Sequence, residues 1–266
     1  ADMNDWQLLR TYADRNSESA FRTLVDRHVG LVHASALRQV NDPPLAEDVT
    51  QAVFILLARK AATFRREVVL PSWLFRTSRF VARQVLRTER RRQHREQKAF
   101  EMHELNSSEA AAPHLAPILD EGLARLGEKD RSALLLRFAE DRSLDEVGAR
   151  LGVSEDAAKK RVHRALEKLR GFFGRRGFTL PTTVLAGVLG NQLAPAAPAS
   201  LAVRVTAKAT AVASATAPAL PTLVRQTLDA WRWARIKLAA GLGGAGMVAL
   251  LLLNFLPPTV PSRSEE

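Results

Sequence analysis

No cysteine occurs in the 266-residue chain, which excludes disulfides, thiolate metal sites and thiol redox chemistry. Its six histidines are scattered without metal-ligand spacing, so each reads as a surface or packing residue. A Gly-rich phosphate loop, a nucleophile elbow and a paired-carboxylate arrangement are also missing. No catalytic residue, cofactor or metal ion is therefore expected, and nothing here argues for an enzyme. Strand-type alternation is absent over any useful length, which leaves an all-α fold. No secretory signal marks residues 1–20, which carry Asp2, Asp5, Arg10, Asp14, Arg15 and Glu18. The N-terminal part is expected in the cytoplasm.

What the chain has in excess is positive charge: a formal +11 and a pI near 10.9. That balance suits a polyanionic partner, either nucleic acid or an acidic membrane surface. The most readable segment is SLDEVGARLGVSEDAAKKRVHRALEKLR, residues 143–170. Leu144, Val147 and Leu151 recur at helical steps, and Gly152-Val153 interrupts them. Ser154 caps a second helix with Asp156 in its first turn, where a carboxylate suits the helix dipole. Ala158, Val162, Ala165, Leu166 and Leu169 form its apolar stripe. Lys159, Lys160, His163 and Arg164 fall on the other side, toward solvent or a ligand. A short helix, a glycine turn and a basic helix are the parts of a helix-turn-helix, which places one helix in the DNA major groove.

Residues 5–97 read as a helical bundle. Phe21, Leu24, Val25, His28, Val29 and Val32 follow helical spacing, and Asn41-Asp42-Pro43-Pro44 stops that run. A second helix from Leu45 carries Val49, Val53, Phe54 and Leu57. After a loop near 63–71, a third runs from about Ser72 through RTERRRQHREQK. Residues 98–114 lose periodicity and read as a linker, and 115–176 form a smaller helical unit ending in the helix-turn-helix. From 177 to 230 the chain turns to Ala, Pro, Thr and Val, which favours a flexible tether over a folded core and leaves open whether 181–230 folds or inhibits the first two units in cis. Residues 231–257 join a flank of Trp231, Arg232, Trp233, Arg235 and Lys237 to the uncharged run Leu238–Leu256. Nineteen uncharged residues approach the roughly 20 needed to cross a bilayer. Positive-inside logic keeps 1–237 cytoplasmic, with the tail 258–266 outside.

Residues 18–172 resemble the extracytoplasmic-function sigma factors, promoter-recognition subunits of bacterial RNA polymerase. AEDVTQAVFILLARK (46–60) and FRREVVLPSWLFRTSRFVARQVL (64–86) resemble the family's N-terminal domain, sigma region 2. LGEKDRSALLLRFAEDRSLDEVGARLGVSEDAAKKRVHRALEKLR (126–170) resembles its C-terminal domain, region 4. The resemblance implies that Glu47, Asp48, Gln51, Phe54 and Leu57 dock on the polymerase core, with an exposed apolar residue between carboxylates. It implies minus-ten recognition and melting by Phe64, Arg65, Trp73, Arg76, Arg79, Arg83 and Arg87, although Trp73 reads more readily as core. Arginines at three- and four-residue steps can follow one phosphate backbone, and aromatics can stack on extruded bases. Minus-thirty-five recognition falls to Ser154, Glu155, Lys159, Lys160, His163 and Arg164, while Arg161 contacts phosphate or shields the helix stem. The usual glycine before the helix-turn-helix is replaced within Asp141–Ser143.

The implied partners are polymerase core, promoter DNA and the cytoplasmic membrane through Leu238–Leu256, with an anti-sigma factor or other signalling protein as a further candidate. The two helical units are expected to pack together when free and to separate on polymerase. Two other classes stay open. A one-component regulator would use the helix-turn-helix as a dimer on palindromic operators without polymerase. A membrane-bound protein would only sequester a partner.

Overall fold

The computed structural model describes residues 3–100, 115–214, 223–225 and 227–229. Every regular element among them is helical. The first unit comprises α1 (Asp5–Arg15), α2 (Glu18–Val40), α3 (Pro43–Lys60) and α4 (Leu70–Phe100), with a 3-10 turn at Ala61–Thr63. A capping box opens α1: Asn4 Oδ1 accepts from the Gln7 N–H and Gln7 Oε1 from the Asn4 N–H. Asn41 ends α2 in the left-handed region (φ 51°), and Asp42 immediately caps α3 by accepting from the Leu45 N–H. Pro43 and Pro44 thus form the first turn of α3, where a missing N–H costs nothing.

Phe21, Leu24, Val25 and Val32 of α2 meet Val49, Val53, Phe54 and Leu57 of α3 and Leu74 and Val81 of α4 in one core. Each such side chain contributes about 1.5–3 kcal/mol on burial. Helix propensities differ by under about 1 kcal/mol per residue, so packing decides that Val53-Phe54-Ile55 is helical. From Val49 to Ala58 only Gln51 escapes full burial, which makes α3 the central helix of this unit.

The second unit comprises α5 (Leu115–Arg125), α6 (Glu128–Phe138), α7 (Leu144–Leu151) and α8 (Glu155–Gly174). Its core includes Leu123, Leu134, Leu135, Val147, Val162, Leu169 and Phe173, and Leu31 and Phe75 of the first unit enter it. The two units therefore share packing.

The expected tether is corrected by two further helices, α9 (Thr182–Gln192) and α10 (Ala199–Ser214), and by helical residues at 223–225 and 227–229. Leu185, Leu189 and Leu193 are buried in the core of the second unit, and Leu201, Val205, Ala209 and Val224 in that of the first. Steps of four residues give each helix one apolar stripe, enough to dock a segment whose average composition is bland. Residues 101–114 of the expected linker and the expected span Leu238–Leu256 with its flank and tail lie outside the described residues. Within them, no helix is long and apolar enough to cross a membrane.

Candidate polymerase and nucleic-acid interfaces

The helix-turn-helix is built from local chemistry. Ser143 Oγ accepts from the Glu146 N–H while the Glu146 carboxylate accepts from the Ser143 N–H, a capping box that starts α7. Ahead of it, Asp141 takes φ 50°, a conformation in which Asp is among the better tolerated non-glycine residues. Gly152 closes α7 at φ 66°. A Cβ at Gly148 would lie 2.8 Å from the Val153 carbonyl oxygen, so a glycine there lets the turn fold back against α7. Ser154 Oγ caps α8 by accepting from the Ala157 N–H. Ser154 and Glu155 are exposed at its start, and Lys159, Lys160, His163 and Arg164 along its length. Ala158, Val162, Ala165 and Leu169 are buried on the opposite side. Arg161 is half-buried. The expected basic face is thus displayed to solvent.

On α3, Asp48 is exposed and Glu47 and Gln51 are half-buried. Phe54 and Leu57 correct the expectation of an exposed apolar contact, since both are 0% exposed. A helix that is apolar nearly all round is a core helix. Against its polar rim lies α10: Arg204 pairs with Glu47 and Lys208 donates to Gln51 Oε1, both at 2.5 Å.

The minus-ten residues divide into three groups. Arg76, Arg83 and Arg87 are exposed on α4. Arg79 is 8% exposed and donates to the Asp120 carbonyl oxygen of α5, with its guanidinium over the Phe75 ring. It therefore leaves the expected arginine row. At 100° per residue, Arg79 is turned about 60° from Arg76, toward the second unit. Phe64 and Arg65 are half-buried, and Phe64 meets the half-buried Trp73 edge-on at 4.9 Å between ring centroids. Arg150 of α7 donates to the carbonyl oxygens of Arg66 and Val68, tying the loop before α4 to the helix-turn-helix.

Residues 24–92 match the family model for sigma-70 region 2, and residues 122–171 match that for sigma-70 region 4. The chain is 32% identical over 164 residues to the RNA polymerase sigma factor CarQ of Myxococcus xanthus, covering 59% of this chain and 91% of that protein. It is 31% identical over 133 residues to the ECF RNA polymerase sigma factor SigF of Caulobacter vibrioides, covering 50% and 73%. This chain belongs to the extracytoplasmic-function sigma factors. A further relative is the ECF RNA polymerase sigma factor SigE of Mycolicibacterium smegmatis, 27% identical over 61% of this chain and 65% of its own length.

Two polar clusters hold regions 2 and 4 of this sigma factor together, and neither was apparent from sequence. In the first, Asp120 of α5 accepts from Ser35 Oγ at 3.0 Å, Arg38 Nε at 2.9 Å and Gln39 Nε2 at 3.3 Å, all on α2. In the second, the buried His28 of α2 stands between two carboxylates. Its Nε2 lies 2.9 Å from Asp5 Oδ2, and its Nδ1 lies 3.7 Å from Glu140 Oε1. Arg27 donates to the other Asp5 oxygen and Arg142 to the other Glu140 oxygen. These ligand atoms lie close enough to hold a metal ion. With Arg27 and Arg142 on the remaining oxygens, a protonated imidazole between the carboxylates fits the arrangement better.

Burial alone would lower the His28 pKa, but Asp5 and then Glu140 outweigh it and raise the value. Burial likewise pushes Asp5 up, and His28 and Arg27 reverse that to hold it well below the usual carboxylate range. Glu140 is raised, by burial above all, so its ionisation opposes the cluster. The raised His28 pKa gives stability that is complete below its unfolded value of 6.5 and lost as pH rises through the folded value. The depressed Asp5 gives stability present above 3.8 and lost as pH falls toward its folded value. The Asp5–His28 contribution is therefore greatest between roughly pH 4 and 6.5. Urea unfolding of the wild type should show a larger loss of stability between pH 6 and 9 than His28→Gln shows. Parallel pH profiles would remove His28 from this role.

Proposed function

We propose that this sigma factor docks on core polymerase along α3 with Glu47, Asp48 and Gln51 at its rim. It follows minus-ten phosphates with Arg76, Arg83 and Arg87, and reads the minus-thirty-five element with α8. The observation that carries the reading is the α8 surface, where Lys159, Lys160, His163 and Arg164 are exposed opposite a buried apolar stripe. Cations so placed can reach phosphates and purine acceptor edges in a major groove. Region 2 and region 4 in one chain also favour a polymerase subunit over a one-component regulator.

Transcription reconstituted with saturating core bacterial polymerase tests this. The wild-type chain should yield promoter-specific transcripts, and Lys159→Glu with Lys160→Glu should reduce them at least ~10-fold through lost phosphate contacts and added repulsion. Unchanged transcripts would remove α8 from promoter recognition. As part of the same reading, the uncharged run Leu238–Leu256 behind Trp231, Arg232, Trp233 and Arg235 attaches the chain to the cytoplasmic membrane. Failure of the full chain to float with lipid vesicles would refute that attachment.

A further inference from the structure

Helix α10 lies on the part of α3 assigned above to polymerase. Leu201, Val205 and Ala209 are buried in the region 2 core, and Arg204 and Lys208 engage Glu47 and Gln51 at the rim. The buried Thr206 hydroxyl is satisfied within α10 by donating to the Ala202 carbonyl, so the docked helix face leaves no polar cost there.

Helix α9 fixes the other end. Leu185, Leu189 and Leu193 enter the region 4 core, and Thr182 donates to Glu167 of α8. Between the two helices the chain crosses α2, where Arg38 donates to the Gln192 carbonyl oxygen. At that crossing α2 carries Gly30, and a Cβ there would come within 2.7 Å of the Pro195 carbonyl oxygen. Both helices follow the segments matched to sigma-70 regions, which end at residue 171.

From these contacts we infer that residues 182–214 form an intramolecular strap that competes with core polymerase for α3 and holds regions 2 and 4 closed. The inference rests on the assignment of α3 to polymerase docking. Helix α3 needs a cover because it is apolar on nearly every side, and α2 and α4 leave the side that α10 occupies. Polymerase gains that side only when α10 leaves it. The strap spares the exposed cations of α8, so it regulates polymerase engagement and leaves the minus-thirty-five surface open. Its grip is moderate: the Arg204–Glu47 pair is partly solvated, with side chains 52% and 33% exposed, and such pairs contribute little. Displacement by a strong partner is then accessible, and the apparent affinity for polymerase scales with the fraction of strap-open chain.

The test measures core polymerase binding by the full chain and three altered forms. Gly30→Leu places a side chain against the Ala194–Pro195 segment that joins α9 to α10, away from the residues of α3 assigned to polymerase. Val205→Asp puts a charge in the α10 contact. Gln51→Cys with Lys208→Cys, joined by a short bismaleimide, locks α10 down, and the absence of native cysteine confines the reaction to that pair. Gly30→Leu and Val205→Asp should each tighten binding about tenfold or more, with helicity retained by circular dichroism. The crosslinked form should bind at least about tenfold more weakly than the same protein before crosslinking.

Wild-type affinity in folded Gly30→Leu and Val205→Asp would overturn the strap while leaving polymerase docking intact. Equal binding before and after crosslinking would overturn it even if both of those variants misfold. Loss of core binding in every form, uncrosslinked wild type included, would instead remove the assignment of α3 to polymerase, and the strap's competitive role with it.

Discussion

Phe54→Ala is expected to lower the stability of the chain by about 3–5 kcal/mol, the usual cost of truncating a fully buried phenylalanine. Phe54 is 0% exposed on α3 and shares its core with Phe21, Leu24 and Val53. Truncation removes apolar burial and leaves a cavity that well-packed neighbours fill only in part. Urea denaturation checks this: the midpoint should fall with little change in slope. A side chain that anchored a partner from an exposed position would behave otherwise, losing partner affinity while stability stayed within about 1 kcal/mol. That second result would place Phe54 at the surface and contradict the packing of α3. Asp48→Ala, at the exposed rim of the same helix, provides the contrast, with a stability change within about 0.5 kcal/mol.

The helix-turn-helix was legible because its signals are local. Ser143, Gly152 and Ser154 mark helix ends within a few residues of the apolar steps they bound, and the structure uses all three as caps. Residues 182–214 depart from the tether expectation for the opposite reason. Averaged over 40 or so residues, Ala, Pro and Thr suggest a weakly packing chain, yet Leu185, Leu189 and Leu193 recur at helical spacing, as do Leu201, Val205 and Ala209. One buried residue per turn is a sparse stripe, and it folds only because an apolar partner surface already exists on regions 2 and 4. The helical period of these residues, not their composition, carries the signal for both helices. The burial of His28 was implied by its place among the apolar positions of α2. Its partners were not, because Glu140 comes from region 4, and pairing over such sequence separation leaves no local trace. Arg79 shows the same limit, since step counting cannot say which side of an arginine row faces a neighbouring domain.

The other large effect is expected from Asp120→Ala. Asp120 is 1% exposed, and the Arg38 side chain that pairs with it is 6% exposed. Removing the carboxylate takes the acceptor from a nearly buried guanidinium and from two further donors on α2, Ser35 and Gln39, and breaking a buried pair from one side costs about 3–5 kcal/mol. Most of that loss should fall on the contact between regions, because Arg38 regains water as soon as α5 moves away. Solution scattering should therefore show a larger radius of gyration, and hydrogen exchange should accelerate in α5 before the core of α2 opens. An unchanged radius with a stability loss below about 1 kcal/mol would show that Asp120 does not hold the regions together. Arg38 also donates to the Gln192 carbonyl at the end of α9, so one side chain serves both the region 2–region 4 contact and the strap. Asp120→Ala and Gly30→Leu should then combine non-additively, with a coupling of at least about 0.5 kcal/mol in a double-mutant cycle. Strict additivity would mean that the strap can lift while the two regions stay closed.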